Sequence, residues 1–257
     1  MNMIGKELCP AVKRARDFKL YTYDGRVLLD LYRENGRAFS GHKSGKLVLT
    51  LKNAAEQGVF CSYPSVYGGR LQKALRTLFP AFPYSAVFSG ESAAMQAADV
   101  LFDENTALCD PVRGESGSFE RWRPTLPVSS KAQTLFVILP AGGFSRAVAL
   151  CSRTPLSAGE TLSPVETAVL TRAVYDWIAL SEKIADETPK IAAPAWKRNG
   201  FYLLYGGSDY EKMRTEALNR GVLLPPTAVE AAVLPLTATK GDWGKITEVL
   251  TLSEGEY

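Results

Sequence analysis

The sequence predicts an α/β fold with a mixed central sheet and a smaller α+β domain. Between residues 47 and 187, short apolar segments typical of strands alternate with segments of helical periodicity. Such alternation favours a parallel or mixed sheet with helices on its faces. A hairpin pattern precedes this region, and short strand and helix patterns follow it. We therefore expect a large α/β domain over 36–187 and a small α+β domain formed by 1–35 and 188–257.

The composition is that of an ordinary globular protein. Of the 257 residues, 46% are hydrophobic and 22% are charged, and the formal net charge is only +3. Basic and acidic residues are interspersed, so no nucleic acid or anionic membrane is indicated as a partner. The sequence shows no secretion-signal pattern and no apolar run of bilayer-spanning length, which makes a cytoplasmic location the default expectation.

Cysteine and histidine usage gives no support to disulfides or metal binding. Cys9, Cys61, Cys109 and Cys151 are widely spaced without a C-x-x-C pair, which favours free and mostly buried thiols. The only histidine, His42, lies among serine, glycine and lysine residues, and we expect a solvated loop side chain. A site with two imidazole ligands is excluded, and we expect no metal cofactor.

A hairpin and two helices are expected first. Residues 18–31 place apolar residues on both sides of Asp24-Gly25, a dipeptide typical of tight hairpin turns. A helix is expected over 47–57. A second helix carries leucines at helical spacing and ends at Pro80.

A strand, a glycine turn and a helix follow. Tyr84–Phe88 is a short apolar strand pattern, and Ser89-Gly90-Glu91-Ser92 leads directly into a helix. The first N–H groups of a helix have no partner within it and lie at its positive end. The turn is therefore a ready site for an anion such as phosphate. The helix is expected to bury Ala93, Ala94, Ala97, Val100 and Leu101.

Short strands and a long loop are expected in the next part of the chain. Strand patterns cover Thr106–Cys109, Thr134–Leu139 and Arg146–Cys151, whereas 112–130 is rich in Gly, Ser, Pro and Arg and predicts a long loop. Three arginines lie in that loop, Arg113, Arg121 and Arg123. We expect them to form a solvated charged surface; the alternative is phosphate binding, which guanidinium geometry suits.

The last elements carry clear helix-start signals. Ser163-Pro164-Val165-Glu166 combines a capping serine, a proline suited to the first turn and a glutamate that can complete a capping box. This helix is expected to extend to about residue 186. A second capping box, Ser208 to Glu211, opens a helix that stops at Gly221, and a last helix follows 240–243.

Six segments of the chain, in their order, resemble the pyridoxal-phosphate (PLP) enzymes of fold type I. They resemble most closely the class III aminotransferases and glutamate-1-semialdehyde aminomutases. The segments are Tyr23–Leu31, Phe39–His42, Leu71–Pro80, Val87–Gly90, Gly200–Leu204 and Asn219–Leu224. The resemblance implies a PLP site in which Ser89, Gly90, Glu91 and Ser92 hold the phosphate and Asp110 pairs with the pyridine nitrogen. It also implies a homodimer.

The departures from the family pattern concern the residues that carry its chemistry. Glu91 and Ser92 stand in exchanged order relative to the family's Ser-Gly-Ser/Thr-Glu-Ala loop, which places a carboxylate near the phosphate position. The family's Schiff-base lysine precedes a glycine turn that Ala141-Gly142-Gly143 resembles. Counting back reaches Ile138, which has no amine, and the nearest lysine is Lys131, seven residues earlier.

The large domain also looks shortened. Gly90 and Gly142 are 52 residues apart, and a strand–helix–strand unit takes roughly 30 residues, so only one or two units fit. We expect a degenerate aminotransferase-like protein that is non-catalytic or binds a phosphorylated small molecule. The alternative is a minimal PLP-dependent aminotransferase or aminomutase that uses Lys131 and Asp110 with the Gly90 loop.

Overall fold

The computed structural model describes residues 9–58, 60, 65–102, 106–184, 191 and 193–252. The chain divides into two compact units. The large unit comprises residues 44–183, and the small unit comprises the chain before and after it. Mixed sheets with covering helices confirm the expected α/β class.

The helices and strands are numbered in chain order. The helices are α1 (Gly45–Glu56), α2 (Val66–Leu78), α3 (Glu91–Asp99), α4 (Pro164–Ser181), α5 (Tyr210–Asn219) and α6 (Lys240–Leu250). The strands are β1 (Val12–Arg16), β2 (Lys19–Thr22), β3 (Val27–Asp30), β4 (Tyr84–Phe88), β5 (Phe119–Trp122), β6 (Thr134–Ile138), β7 (Val148–Ser152), β8 (Trp196–Asn199), β9 (Tyr202–Tyr205), β10 (Val222–Leu223) and β11 (Ala232–Val233).

The large unit contains a four-stranded mixed sheet in the order β4-β7-β6-β5. Strand β7 is antiparallel to both β4 and β6, and β5 is parallel to β6. Phe88 and Ile138 both pair with Val148, so the last residues of β4 and β6 lie at the same end of the sheet. We call this end the turn end, because the glycine turns at Gly90 and Gly142 follow these two strands.

Helices cover both faces of this sheet. On one face, α3 packs Ala94 and Ala98 into a core that includes Phe88 and Phe136. The expected burial of Val100 is wrong, because α3 ends at Asp99 and the Val100 side chain is 84% exposed. The other face packs against α2 and α4. There Trp122 makes edge-to-face contacts with Phe79, at 5.2 Å between ring centroids, and with Trp177, at 5.9 Å.

The loop expected over 112–130 is interrupted by strand β5, so that prediction is wrong. Phe119, Glu120 and Trp122 are buried, and β5 pairs along its whole length with β6. The strand expected at Thr106–Cys109 is reduced to a single parallel bridge between Cys109 and Glu120. The conformation of this region is therefore determined by the pairing of β5 with the buried strand β6.

Local capping signals fix the helix starts closely. The Ser163 hydroxyl accepts the Glu166 N–H at 3.1 Å, as expected, but the Glu166 carboxylate accepts the Ser145 hydroxyl at 2.5 Å and does not complete the box. Helix α5 is capped by Asp209, which accepts the Lys212 N–H at 3.0 Å, one residue after the expected cap.

The small unit contains two sheets, β1-β2-β3-β10 and β11-β9-β8. The hairpin expected over 18–31 is confirmed as the antiparallel pair β2–β3, with Gly25 at φ 86° in the turn. Strand β10 then joins β3 in parallel, immediately after α5 ends at a positive-φ Gly221. The hairpin is thus tied into a sheet that also receives the C-terminal part of the chain.

The expectation that His42 is solvated is wrong. Its Nε2 lies 2.6 Å from Oδ2 of Asp30, and the two side chains are only 11% and 3% exposed. The other Asp30 oxygen accepts the Arg33 N–H at 3.0 Å, and the buried Arg33 guanidinium donates to the carbonyls of Ala38 and Phe39. A buried carboxylate needs partners, and these groups supply them.

The free thiols follow the expected pattern where the structure describes them. Cys9 and Cys109 are half-buried, Cys151 is buried, and all three are free. Cys61 lies outside the described residues. Among the helices of the described chain, none has both the length and the apolar composition needed to cross a bilayer.

Candidate functional site

The Gly90 turn lies at the turn end of the sheet, between β4 and α3. Gly90 is extended, at φ −173°, and as the cap residue it offers no side chain to the first-turn N–H groups of α3. Ser89 and Ser92 are exposed, and Glu91 is half-buried. The turn therefore presents backbone N–H groups and serine hydroxyls at the positive end of a helix.

A carboxylate from a distant part of the chain already lies at this turn. Oε2 of Glu160 accepts the Ser89 N–H at 2.6 Å. Hydrogen bonds from Ser89 lower the pKa of Glu160, so the carboxylate is charged at neutral pH. This residue was not among the candidates from the sequence, where no motif connects it with Ser89.

Glu91 and Arg121 form a second acidic–basic contact beside the turn. Their carboxylate and guanidinium lie 3.5 Å apart, and the Arg121 guanidinium carbon lies 5.1 Å from the centre of the Phe136 ring. The Arg121 side chain is only 15% exposed, and its Nη1 is buried without a hydrogen-bond partner in the described part of the chain. Burial and the neighbouring Arg123 lower the pKa of Arg121, but a guanidinium remains charged at neutral pH.

Arg123 forms a bidentate ion pair with Asp110. Arg123 Nε donates to Oδ1 at 3.1 Å and Nη2 to Oδ2 at 2.5 Å, while the Val112 N–H also donates to Oδ1. Burial favours a higher pKa for Asp110, but the hydrogen bonds and charge of Arg123 outweigh it, and the pKa is lowered. Both carboxylate oxygens are therefore engaged by a guanidinium at the place where the resemblance requires a partner for a pyridine nitrogen.

The end of β6 is aliphatic. Val137, Ile138 and Leu139 are at most 4% exposed, and the chain then turns at Gly142 and Gly143 with φ values of 65° and 78°. These positive φ values suit glycine. No amine lies in the segment that the resemblance assigns to the Schiff-base lysine.

Lys131 lies at the opposite end of the sheet. It precedes β6, whose first residue pairs with Ser152 at the end of the sheet away from both glycine turns. The four residue steps of β6 alone cover about 13 Å, more than a lysine side chain spans. Lys131 is exposed, and its backbone N–H donates to the Ser129 hydroxyl at 3.2 Å.

The structure thus brings some of the candidate residues together and separates one. Ser89, Gly90, Glu91 and Ser92 share one turn with Arg121 beside them, whereas Lys131 does not reach it. The expectation of a solvated arginine surface is wrong for Arg121 and Arg123, although Arg113 is exposed. The aromatic residues at both ends of Phe119-Glu120-Arg121-Trp122, a residue type common in strands, were the only local signal that could have placed Arg121 on a strand.

These residues do not fit PLP held covalently as a cofactor. The turn end of β6 offers no amine, Asp110 is paired with Arg123, and Glu91 places a carboxylate in the first turn of α3. Glu91 and Asp110 also balance the charges of Arg121 and Arg123, so the side-chain cluster has no excess positive charge. No step of transamination can be derived through these groups. Within the described ranges, no group of three or more His, Cys, Asp or Glu residues could hold a metal ion.

Several solved structures that superimpose on this chain are aminotransferases. The ornithine δ-aminotransferase of Plasmodium falciparum superimposes with a TM-score of 0.72 at 13% identity, over 97% of this chain and 94% of that chain. The acetylornithine aminotransferase of Elizabethkingia anophelis gives 0.67 at 15% identity, over 96% and 94%. A transaminase with PLP bound gives 0.66 at 12% identity, over 96% and 91%. The fold is therefore that of PLP-dependent aminotransferases.

Two uncharacterised proteins are similar to this chain in sequence. An uncharacterised protein of Treponema pallidum is 26% identical, over 87% of this chain and 88% of its own length. An uncharacterised protein of Borreliella burgdorferi is 24% identical, over 91% and 87%. No protein-family model matches the chain.

Proposed function

We propose that this chain is a degenerate, non-transaminating member of the aminotransferase fold that binds a phosphorylated small molecule at the Gly90 turn. One observation carries the proposal. The residues before the Gly142 turn, Val137, Ile138 and Leu139, are buried and aliphatic, so no nucleophilic nitrogen stands where this chemistry needs it. The geometry of Lys131 supports the same conclusion, since β6 separates it from the turn.

The phosphate preference rests on the turn itself. The first N–H groups of α3 lie at the positive end of a helix of nine residues, and the exposed Ser92 hydroxyl is a further donor. Glu91 opposes an incoming anion, but its contact with Arg121 offsets part of that charge. The ligand would therefore be held through its phosphate group, without a covalent bond to the protein.

Two further features belong to this proposal. The short separation between the Gly90 and Gly142 turns supports a large domain that is reduced relative to class III aminotransferases. A homodimer is proposed by analogy with that family, and sedimentation of the purified protein tests it; a monomer at micromolar concentration would contradict it.

The ligand class can be tested by thermal unfolding with three probes. PLP and inorganic phosphate should raise the Tm, whereas pyridoxal, which lacks the phosphate, should not, because a ligand stabilises only the state that binds it. Ser92→Ala should reduce the shift. Ser130→Ala, an exposed serine at the other end of the sheet, is the matched control and should not.

Unchanged Tm values across a panel of phosphorylated compounds would refute phosphate binding at the turn. The Lys131 alternative makes a different prediction, namely that Lys131→Ala abolishes a PLP-dependent Tm shift and any covalent PLP adduct. Our proposal predicts that Lys131→Ala behaves as the wild type.

A further inference from the structure

The outer edge of β4, which no other strand of the sheet covers, is partly covered by a short segment after β7. We call residues 156–162 the strap. The Glu160 N–H donates to the Val87 carbonyl at 2.8 Å, so the strap lies against the outer edge of the strand. At Gly159 a Cβ would lie 2.5 Å from both the N and the O of Val87, and only glycine permits this approach without a shift of the backbone. The strap therefore closes the edge at Val87.

The same edge is open two residues earlier, at Ser85. In an antiparallel ladder the N–H and C=O of one residue point to the same side of the strand, and residues two apart share that side. Because the Val87 carbonyl points outward to the strap, the Ser85 N–H and C=O also point outward. Within the described residues, no hydrogen bond reaches either Ser85 group from outside the sheet. The edge thus offers one unpaired donor and one unpaired acceptor side by side.

Ser85 lines a cleft of about 680 Å³ that β4, the strap and α2 form together. This volume is typical of small-molecule sites. The side chains of Gln72, Ser157 and Thr161 also line the cleft and make no hydrogen bond to another described residue. At Gly68 the wall formed by α2 has no side chain, and a Cβ there would have no neighbour within 4 Å. The cleft is therefore open and offers several free polar groups.

The cleft has a negative charge at one end. Among the described residues that line it, only Glu160 is ionisable. Oε2 of Glu160 accepts the Ser89 N–H at 2.6 Å, and hydrogen bonds from Ser89 lower the pKa of this carboxylate, so it is charged at neutral pH. It pairs with no basic side chain in the described part of the chain. A carboxylate has about four lone-pair sites, so Glu160 can attract a cation while it keeps its bond to Ser89.

We propose that this cleft is a second ligand site that binds a short peptide with a basic side chain. One extended residue of the peptide exchanges two hydrogen bonds with the N–H and C=O of Ser85, as a neighbouring strand does. The basic side chain of that residue lies on the side of Glu160. Since the strap closes the edge at Val87, a longer strand cannot pair there. The inference is independent of phosphate binding at the Gly90 turn.

The test is an NMR titration of the full-length protein with acetyl-lysine N-methylamide, a compound with one complete residue. We expect it to shift the amide signal of Ser85. An analogue with an ester oxygen in place of the lysine N–H should bind about fivefold more weakly, because the Ser85 carbonyl loses its donor. Acetyl-glutamate N-methylamide should also bind more weakly than the lysine compound. Glu160→Gln should weaken binding of the lysine compound about twofold to threefold, as expected for a solvent-exposed ion pair.

Two neighbouring glycines of α2 provide a matched pair of variants. Gly68→Leu places a side chain in the cleft, whereas Gly69 is not part of the lining and has equally open space at its Cβ. Both substitutions replace a helical glycine and should affect stability alike. Only Gly68→Leu should abolish the shift of the Ser85 amide.

Three outcomes would overturn the proposal. The first is a Ser85 amide signal that millimolar acetyl-lysine N-methylamide leaves unchanged. The second is an equal shift in Gly68→Leu and Gly69→Leu, which would place binding outside the cleft. The third is equal affinity for the lysine and glutamate compounds, which would show that a basic side chain is not recognised.

Discussion

The ion pair between Asp110 and Arg123 gives the most informative stability prediction, because it decides whether Asp110 is a structural or a ligand-binding residue. The two side chains are 14% and 6% exposed and share two hydrogen bonds. Removing one partner of such a buried pair costs about 3–5 kcal/mol. Asp110→Asn keeps an acceptor for one of the bonds, so we expect a loss of about 2–3 kcal/mol in the free energy of unfolding at pH 7.

The loss should also depend on pH in a defined direction. The pKa of Asp110 is lowered in the folded state from its ordinary value of 3.8. Its stabilisation is therefore fully present above that value and is lost as the pH falls through the lower, folded pKa. The difference between wild type and Asp110→Asn in urea unfolding should be largest at pH 7 and should shrink as the pH falls below 3.8.

Two further variants define the interpretation. Glu56→Gln removes an exposed carboxylate 4.0 Å from Lys52 in the same unit and should change stability by less than about 0.5 kcal/mol. The double variant Asp110→Asn, Arg123→Met should recover part of the loss, because no unpaired buried charge remains. Wild-type stability of Asp110→Asn at pH 7 would refute the structural role of the pair.

Three other substitutions test individual contacts. Glu120→Gln should raise the free energy of unfolding by about 1 kcal/mol at pH 7 but not at pH 4. One buried oxygen of the Glu120 carboxylate has no partner and burial raises the pKa of Glu120, so the stability of the wild type falls as the pH rises through that pKa. Equal urea midpoints of the two proteins at pH 7 would contradict this. Arg33→Met should lower the free energy of unfolding by more than about 3 kcal/mol, since the Arg33 side chain is 1% exposed and donates to two carbonyls. A decrease of less than about 1 kcal/mol in urea unfolding would be inconsistent with that role. Ser163→Ala should cost about 1 kcal/mol through loss of the α4 cap, and an unchanged Tm would argue against it.

Local signals were sufficient for the elements whose cause is local. The turn pair Asp24-Gly25 gave the β2–β3 hairpin, and the sequence around Ser163 gave the start of α4. The aliphatic end of β6 could also be predicted from the sequence, because the Gly142 turn marks the end of the strand that precedes it.

Contacts between distant residues account for the errors and omissions. Strand β5 has four residues with a charged pair in the middle, and only its pairing with β6 makes it a strand. The His42 side chain is only 11% exposed because it pairs with the buried Asp30 carboxylate, twelve residues earlier. The contact between Glu160 and Ser89 joins residues 71 positions apart, and no spacing or motif in the sequence connects them.

The most direct test of the account is chemical trapping of PLP on the protein. The protein is incubated with equimolar PLP, reduced with sodium borohydride and mapped by peptide mass spectrometry, with Lys131→Ala treated in parallel. We predict no stoichiometric adduct on any lysine, although the Tm shift with PLP is retained before reduction. A single lysine modified in proportion to bound PLP, at Lys131 or elsewhere, would contradict the central claim that this chain has no lysine that binds PLP covalently.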